Sequence, residues 1–269
     1  MLKRKGFTLI ELLVVIAIIA LLLAIILPAF AKVKMIAEEV ICKSNLHQYS
    51  LATEIYSQDQ QDRYPNAWAS LYSQGDKYFG EPTRSCRWHN DNFDLEAYPK
   101  YAGPYWPYLN VTQANVCPTF KRFARQFGTN HQGHDPAVPM GKVQFSYSMN
   151  GHLTNGRPAG IKRSKIKSSP SETFLWSEEN MWCIKKEDNT LLSRFVLNDN
   201  ALLINRGNPV IDSFGSFHKI SMGNYGTQMP EAGQTHGIYD SGGVNALMMD
   251  GSSMFATPED SRRYMGRIQ

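Results

Sequence analysis

The first thirty residues, MLKRKGFTLIELLVVIAIIALLLAIILPAF, constrain this chain more than any other stretch. Lys3, Arg4 and Lys5 precede Gly6, and residues 8–27 are apolar except for Thr8 and Glu11. Twenty helical residues rise about 30 Å, the thickness of a bilayer core. The basic cluster keeps its end cytoplasmic by the positive-inside rule, which places everything after Pro28 across the membrane. A cleaved secretory signal fits badly, because its apolar core is shorter, uncharged and followed by small residues. A plain anchor leaves Glu11 unexplained. A carboxylate in a bilayer costs several kcal/mol unless paired, so Glu11 reads as a functional residue.

The stretch KGFTLIELLVVIAIIALLLAIILP resembles the N-terminal segment of type IV prepilins and type II secretion pseudopilins. In that family a membrane-embedded aspartic peptidase cuts after the glycine, here Gly6, and the new first residue, here Phe7, is N-methylated. The family's acid at the fifth mature position maps onto Glu11, and its helix-bending proline onto Pro28. The resemblance implies that Glu11 meets the α-amino group of a neighbouring subunit, each neutralising the other in an apolar setting. It implies a prepilin peptidase/methyltransferase, other pilin or pseudopilin subunits and an inner-membrane assembly platform as partners. It also implies a single-pass inner-membrane protein with a periplasmic head, later part of a pseudopilus or cell-surface filament.

The helix is expected to run through Pro28, since proline removes one donor without necessarily ending a helix. Val33, Ile36, Ala37, Val40 and Ile41, then Ala52, Ile55 and Tyr56, follow helical spacing and are expected to face a sheet. Lys34, Glu38, Glu39 and Lys43 mark the expected wet side. The polar run QDQQDRYP, with Pro65, is the expected stop.

Residues 65–140 are rich in Pro, Gly, Asn and aromatics and read as a long irregular insertion with short helical pieces. Its segment YAGPYWPY is expected to be a satellite core under a loop, with a carbohydrate-stacking surface as the alternative. Strand signals follow in KVQFSYSMN, SETFLWSEEN and SRFVLND, and VNALMMDGSSMF reads as a hairpin turning at Asp250 and Gly251. The fold class is therefore α+β and pilin-like: a long N-terminal helix packed on an antiparallel sheet. The divisions are a leader at 1–6, a transmembrane and assembly helix at 7–31, its periplasmic half at 32–64, and a head at 65–269, with the insertion at 65–140 and the sheet region at 141–269.

ICKSNLHQYSLATEIYSQDQQDRYP, VCPTF, SYSMNG and PSETFLWSEE resemble bacterial prepilin-like proteins that end in His, nine residues, then Asp-Gly. Here His236 precedes Asp250-Gly251 with thirteen residues between, an insertion that weakens any shared role for His236 and Asp250.

Charge excludes a nucleic-acid role. The net charge is +4, and setting aside Lys3, Arg4 and Lys5 leaves 25 basic residues against 24 acidic. No basic stripe interleaves with aromatics. Cys42, Cys86, Cys117 and Cys183 have no CxxC or CxxH spacing, which argues against zinc. Outside the cytoplasm they would allow two disulfides, with Cys42–Cys117 and Cys86–Cys183 the first pairing to test because Cys42 and Cys117 sit in the family-like segments. His131 with His134 and Asp135, and the acids Asp91, Asp94, Glu96 and Asp240, are weak metal candidates without EF-hand spacing. No cofactor is expected, with calcium the one to test because some major pseudopilins hold it in a late loop. No GxSxG, HExxH, Walker loop or dinucleotide fingerprint is present, so the chain is expected not to be an enzyme. The expected function is a structural filament subunit; the alternative is a minor pilin whose aromatic-rich head binds glycan or surface ligands.

Overall fold

The computed structural model describes residues 7–67, 70–71, 102–109, 112–127, 145–153, 160–178, 201–202, 214–215, 218, 242–257, 260 and 263–265. Its dominant element is α1, Leu9–Asp59, a helix of 51 residues that spans about 77 Å at 1.5 Å per residue. It runs without interruption through Pro28. A capping box starts it: the Glu11 amide donates to Thr8 Oγ1 at 3.3 Å, and the Thr8 amide donates to Glu11 Oε2 at 2.8 Å. Glu11 therefore has a local partner in the single chain. The helix stops where Gln61 and Asp62 take left-handed backbone conformations, φ 55° and 62°, before Pro65 is reached.

The face of α1 turned to the head is not the one its apolar spacing suggested. Glu38, Cys42, Asn45, Leu46, Tyr49, Ala52, Thr53, Tyr56 and Ser57 are buried. Val33, Ile36, Val40, Ile41 and Ile55 are exposed, at 47–60%. Ala52 and Tyr56 face inward as expected, but Glu38 is on the dry side and the aliphatic row is on the wet one. The inward face accommodates Glu38 because its carboxylate is paired: Arg122 donates to Glu38 Oε2 at 2.9 Å and Thr119 at 3.3 Å.

The sheet has five strands: β1 (Tyr147–Asn150), β2 (Phe174–Glu178), β3 (Ala201–Leu202), β4 (Val244–Met248) and β5 (Ser253–Ala256). The order is β3-β1-β2-β4-β5. Antiparallel pairing joins β1 to β2, β2 to β4 and β4 to β5. The expected all-antiparallel sheet is corrected at one edge, where β3 runs parallel to β1; the two-residue β3 lies just past SRFVLND, which falls outside the described residues. The β4–β5 hairpin turns at Asp250 and Gly251 as read from sequence. Gly251 has φ +84°, and Asp250 Oδ1 accepts from the Ser252 amide at 2.9 Å and hydroxyl at 2.6 Å.

Every residue of β1, β2 and β4 is buried, so both faces of these strands are covered where strict alternation predicts one. The core between α1 and the sheet is aromatic. Tyr49 and Trp176 meet edge to face at 4.9 Å, and Tyr105 stacks on Trp176 at 5.1 Å. Trp176 Nε1 donates to Thr53 Oγ1 at 3.3 Å. Tyr105 donates to the Tyr49 carbonyl at 2.7 Å. The YAGPYWPY segment, expected as a satellite core under a loop, instead joins the main core: Tyr105 is fully buried, and Trp106 and Tyr108 pack against the core. Within the insertion the described pieces are short 3₁₀ turns at Trp106–Tyr108 and Thr112–Asn115, then a helix α2, Pro118–Phe127.

Candidate functional site: a buried Cys-Cys-Glu-His cluster

Four chain segments converge where α1, β2 and the start of α2 meet. Cys42 lies on the inward face of α1, one turn past Glu38. Cys117 precedes Pro118, the first residue of α2, and its carbonyl accepts from the Lys121 amide at 2.9 Å. Proline suits that first helical position because its missing donor would have no intrahelical partner there. Glu178 ends β2, its carbonyl accepting from the Gly215 amide at 2.9 Å. His218 pairs with Gly243 through two backbone hydrogen bonds, at 2.8 and 3.3 Å, just ahead of β4.

One ligand atom from each of these four residues lies within 4.8 Å of all the others. His218 Nε2 is 2.8 Å from Glu178 Oε2, Cys117 Sγ is 3.4 Å from His218 Nε2, and the Cys42 thiol donates to Glu178 Oε2 at 3.6 Å. Cys42, Cys117 and Glu178 are fully buried and His218 is 2% exposed. Around them, Tyr147 donates to Cys42 Sγ at 3.3 Å, Asn45 donates to the Tyr147 hydroxyl at 3.4 Å, and the Cys117 amide donates to Ser146 Oγ at 2.8 Å. Both close contacts to Glu178 use Oε2. Its other oxygen, Oε1, is buried without a hydrogen-bond partner among the described residues, an expensive state for a carboxylate.

The electrostatics follow from burial and crowding. Burial works to lower the His218 imidazole, but the Glu178 carboxylate and Cys42 outweigh it and push it up to about 10. Burial pushes the Cys42 thiol up, yet hydrogen bonds involving Cys117 and His218 bring it below its ordinary value. Cys117 is raised well above its own by burial, then by Cys42 and Glu178. Two thiols, an imidazole and a carboxylate form a donor set of the kind that binds a metal ion or does chemistry.

This finding corrects one expectation and bears on another. The expectation that the head carries no reactive constellation, and hence is not an enzyme, is contradicted by a buried cluster whose geometry is compatible with metal coordination. The cysteines lack close spacing in sequence, which argues against zinc, yet the fold supplies the proximity that the sequence does not. Cys42 and Cys117, expected as a disulfide, are brought together here as free thiols. Sequence reasoning missed Glu178 and His218 altogether. The available signals were a glutamate at the end of the strand FLWSE and a histidine in SFHK. Gly6, Cys86, Cys183, His131, His134, Asp135, Asp91, Asp94, Glu96, His236 and Asp240 lie outside the described residues. Asp250 and Gly251 form a hairpin turn, and Phe7, Glu11 and Pro28 lie on or before the exposed half of α1.

That half is apolar enough and long enough to cross a membrane, and its most apolar window is wholly unburied by the rest of the chain. Residues 1–27 match the family model described as the prokaryotic N-terminal methylation motif. No curated protein and no solved structure matches the chain. The chain carries a prepilin-type methylation motif on one long apolar N-terminal helix, which packs its second half on a mixed five-stranded sheet.

Proposed function

We propose that this chain is a prepilin-like subunit, cleaved after Gly6, N-methylated at Phe7, anchored by residues 7–31, and bearing a ligand-binding head on the far side of the inner membrane. The observation that carries the anchor half of this reading is the match at residues 1–27 on a helix whose most apolar window is left unburied by the other described residues. The observation that carries the head half is the buried Cys42, Cys117, Glu178 and His218 cluster. Tyr105 is committed to the core and Trp106 and Tyr108 pack against it, so the cluster favours a metal ion over a glycan as the ligand. Prepilin peptidase is the expected processing partner.

Assembly with further subunits is part of the same proposal. The exposed row Val33, Ile36, Val40, Ile41, Leu51 and Ile55 continues the apolar surface of the membrane-spanning half along the outside of the head, and helix-on-helix packing is the contact that such a row suits. Glu11 would then trade its capping contact for a neighbour's α-amino group.

The test is the intact mass of the protein purified from its own membranes. A chain beginning at N-methylated Phe7 supports processing. A chain beginning at Met1 in cells with active prepilin peptidase leaves a permanent anchor and removes assembly from the proposal. Glu11→Gln should abolish assembly while leaving the head's melting temperature unchanged; normal assembly would remove Glu11 from that role.

A further inference from the structure

The geometry points to one Zn²⁺ held by Cys42 Sγ, Cys117 Sγ, a Glu178 carboxylate oxygen and His218 Nε2, in a closed four-coordinate site. The inference deepens the reading of the head as ligand-binding and rests on it; it is independent of N-terminal processing.

Three observations select zinc. The first is the spacing. Zinc bonds of about 2.3 Å to sulfur and 2.0–2.2 Å to nitrogen or oxygen give tetrahedron edges of about 3.3–3.8 Å. The Cys42–Glu178 and Cys117–His218 separations, 3.6 and 3.4 Å, already match. The 2.8 Å His218–Glu178 contact is a hydrogen bond whose proton the metal would replace, opening that edge by about 0.5 Å.

The second is ligand softness and number. Calcium takes six to eight oxygens, which two thiols and an imidazole cannot supply. An iron–sulfur cluster is ordinarily held by four cysteines. Zinc accepts sulfur, nitrogen and carboxylate oxygen in one tetrahedron. All four positions come from side chains that are at most 2% exposed, so the protein itself fills the coordination sphere.

The third is charge. Two thiolates and a carboxylate carry three negative charges, and the dication leaves one. Cys117 accepts from the Phe120 backbone amide at the N-terminal end of the ten-residue helix α2, a contact that only partly offsets the burial disfavouring its thiolate; a bound dication would supply the rest. Tyr147 donates to Cys42 Sγ, as outer partners of metal ligands commonly do. The carboxylate with an unpartnered oxygen, Glu178, gains a cation beside it.

Metal binding here would clamp α1 to β2, α2 and the His218 segment at once. It would occupy the place of the Cys42–Cys117 disulfide, because the same sulfurs cannot do both.

The test uses the full-length chain in detergent, stripped with chelator under reducing conditions and reloaded with Zn²⁺ alone or Co²⁺ alone. Expected are one Zn²⁺ per chain by native mass spectrometry, a Co²⁺ complex with thiolate charge-transfer and intense tetrahedral ligand-field bands, and an X-ray absorption shell of two sulfurs and two lighter atoms. Cys117→Ser should remove about half of the thiolate band. The wild-type spectra decide the matter even if that variant fails to fold. Binding of a metal with no sulfur in its shell would overturn the zinc assignment and leave a metal-binding head. No binding of any metal, with both thiols free, would overturn both. A Cys42–Cys117 disulfide in protein taken from its own membranes would overturn the zinc site.

Discussion

The Glu38 carboxylate and the Arg122 guanidinium meet at 2.9 Å across the junction of α1 and α2, with Glu38 on the helix face turned into the head. The pair makes a charged residue acceptable on a dry surface and fixes α2 against the long helix. Arg122→Met should cost about 2–3 kcal/mol, because it strands the carboxylate with Thr119 as its remaining partner. Glu38→Gln combined with Arg122→Met should recover part of that loss. Urea denaturation of the four members of this double-mutant cycle measures the coupling.

Ile36 and Val40 lie on the opposite side of the same helix. Ile36→Asp and Val40→Asp should change the stability of the isolated subunit by less than about 0.5 kcal/mol, as exposed substitutions do. They should nevertheless block recovery of the protein in assembled form. Melting curves and the assembled fraction, measured on the same preparations, separate the two effects.

Which of these faces points inward was not legible in the sequence. Apolar spacing identifies a face that avoids water; it does not say whether the covering body is the same chain, a lipid or another subunit. Val33, Ile36, Val40 and Ile41 make the stronger apolar row, and spacing alone assigns them to the sheet. The actual inward face, with Cys42, Asn45, Tyr49 and Thr53, hides its character because Cys42, Asn45 and Tyr49 find polar partners far along the chain, in Glu178, Val116 and Asn115. The helix itself, its passage through Pro28, strands β1 and β2 and the Asp250–Gly251 hairpin were legible, since local signals specify each. The metal-type cluster was not, because no two of its members are close in sequence.

Trp176 joins α1 to the sheet through ring contacts with Tyr49 and Tyr105 and its hydrogen bond to Thr53. Trp176→Ala should destabilise the head by about 3–5 kcal/mol. Trp176→Phe, which keeps a ring and loses the N–H, should cost about 1–2 kcal/mol. Thermal unfolding followed by far-ultraviolet circular dichroism checks both.

Tyr147→Phe removes the donor to Cys42 while leaving the ring in the core. If the cluster holds zinc, this change should weaken binding about tenfold, with little loss of metal-free stability. Competition against a chelator of known affinity reads the difference.

The hairpin turn gives a pH dependence with a defined sign. Hydrogen bonds from Ser252, first from its side chain and then from its backbone, hold the Asp250 carboxyl below its ordinary value. Its contribution is therefore present above about pH 4, the unfolded value, and fades as pH falls through the lower folded value. Because Asp250 is exposed, the contribution should be a few tenths of a kcal/mol. Asp250→Asn should flatten that part of the stability profile between pH 5 and 2.

The four cluster residues also act as a clock for folding. Cys42 and Glu178 are separated by 136 positions, and Cys117 and His218 by 101. Contacts this distant in sequence carry a high loop-closure cost and form late. Cys42 emerges early, on a helix that needs little else to form, and then waits as a bare thiol until the chain has supplied β2 and the segment before β4. A correctly joined cluster therefore reports that the head has finished folding, and a Cys42 captured by any other thiol in the meantime marks a chain that did not.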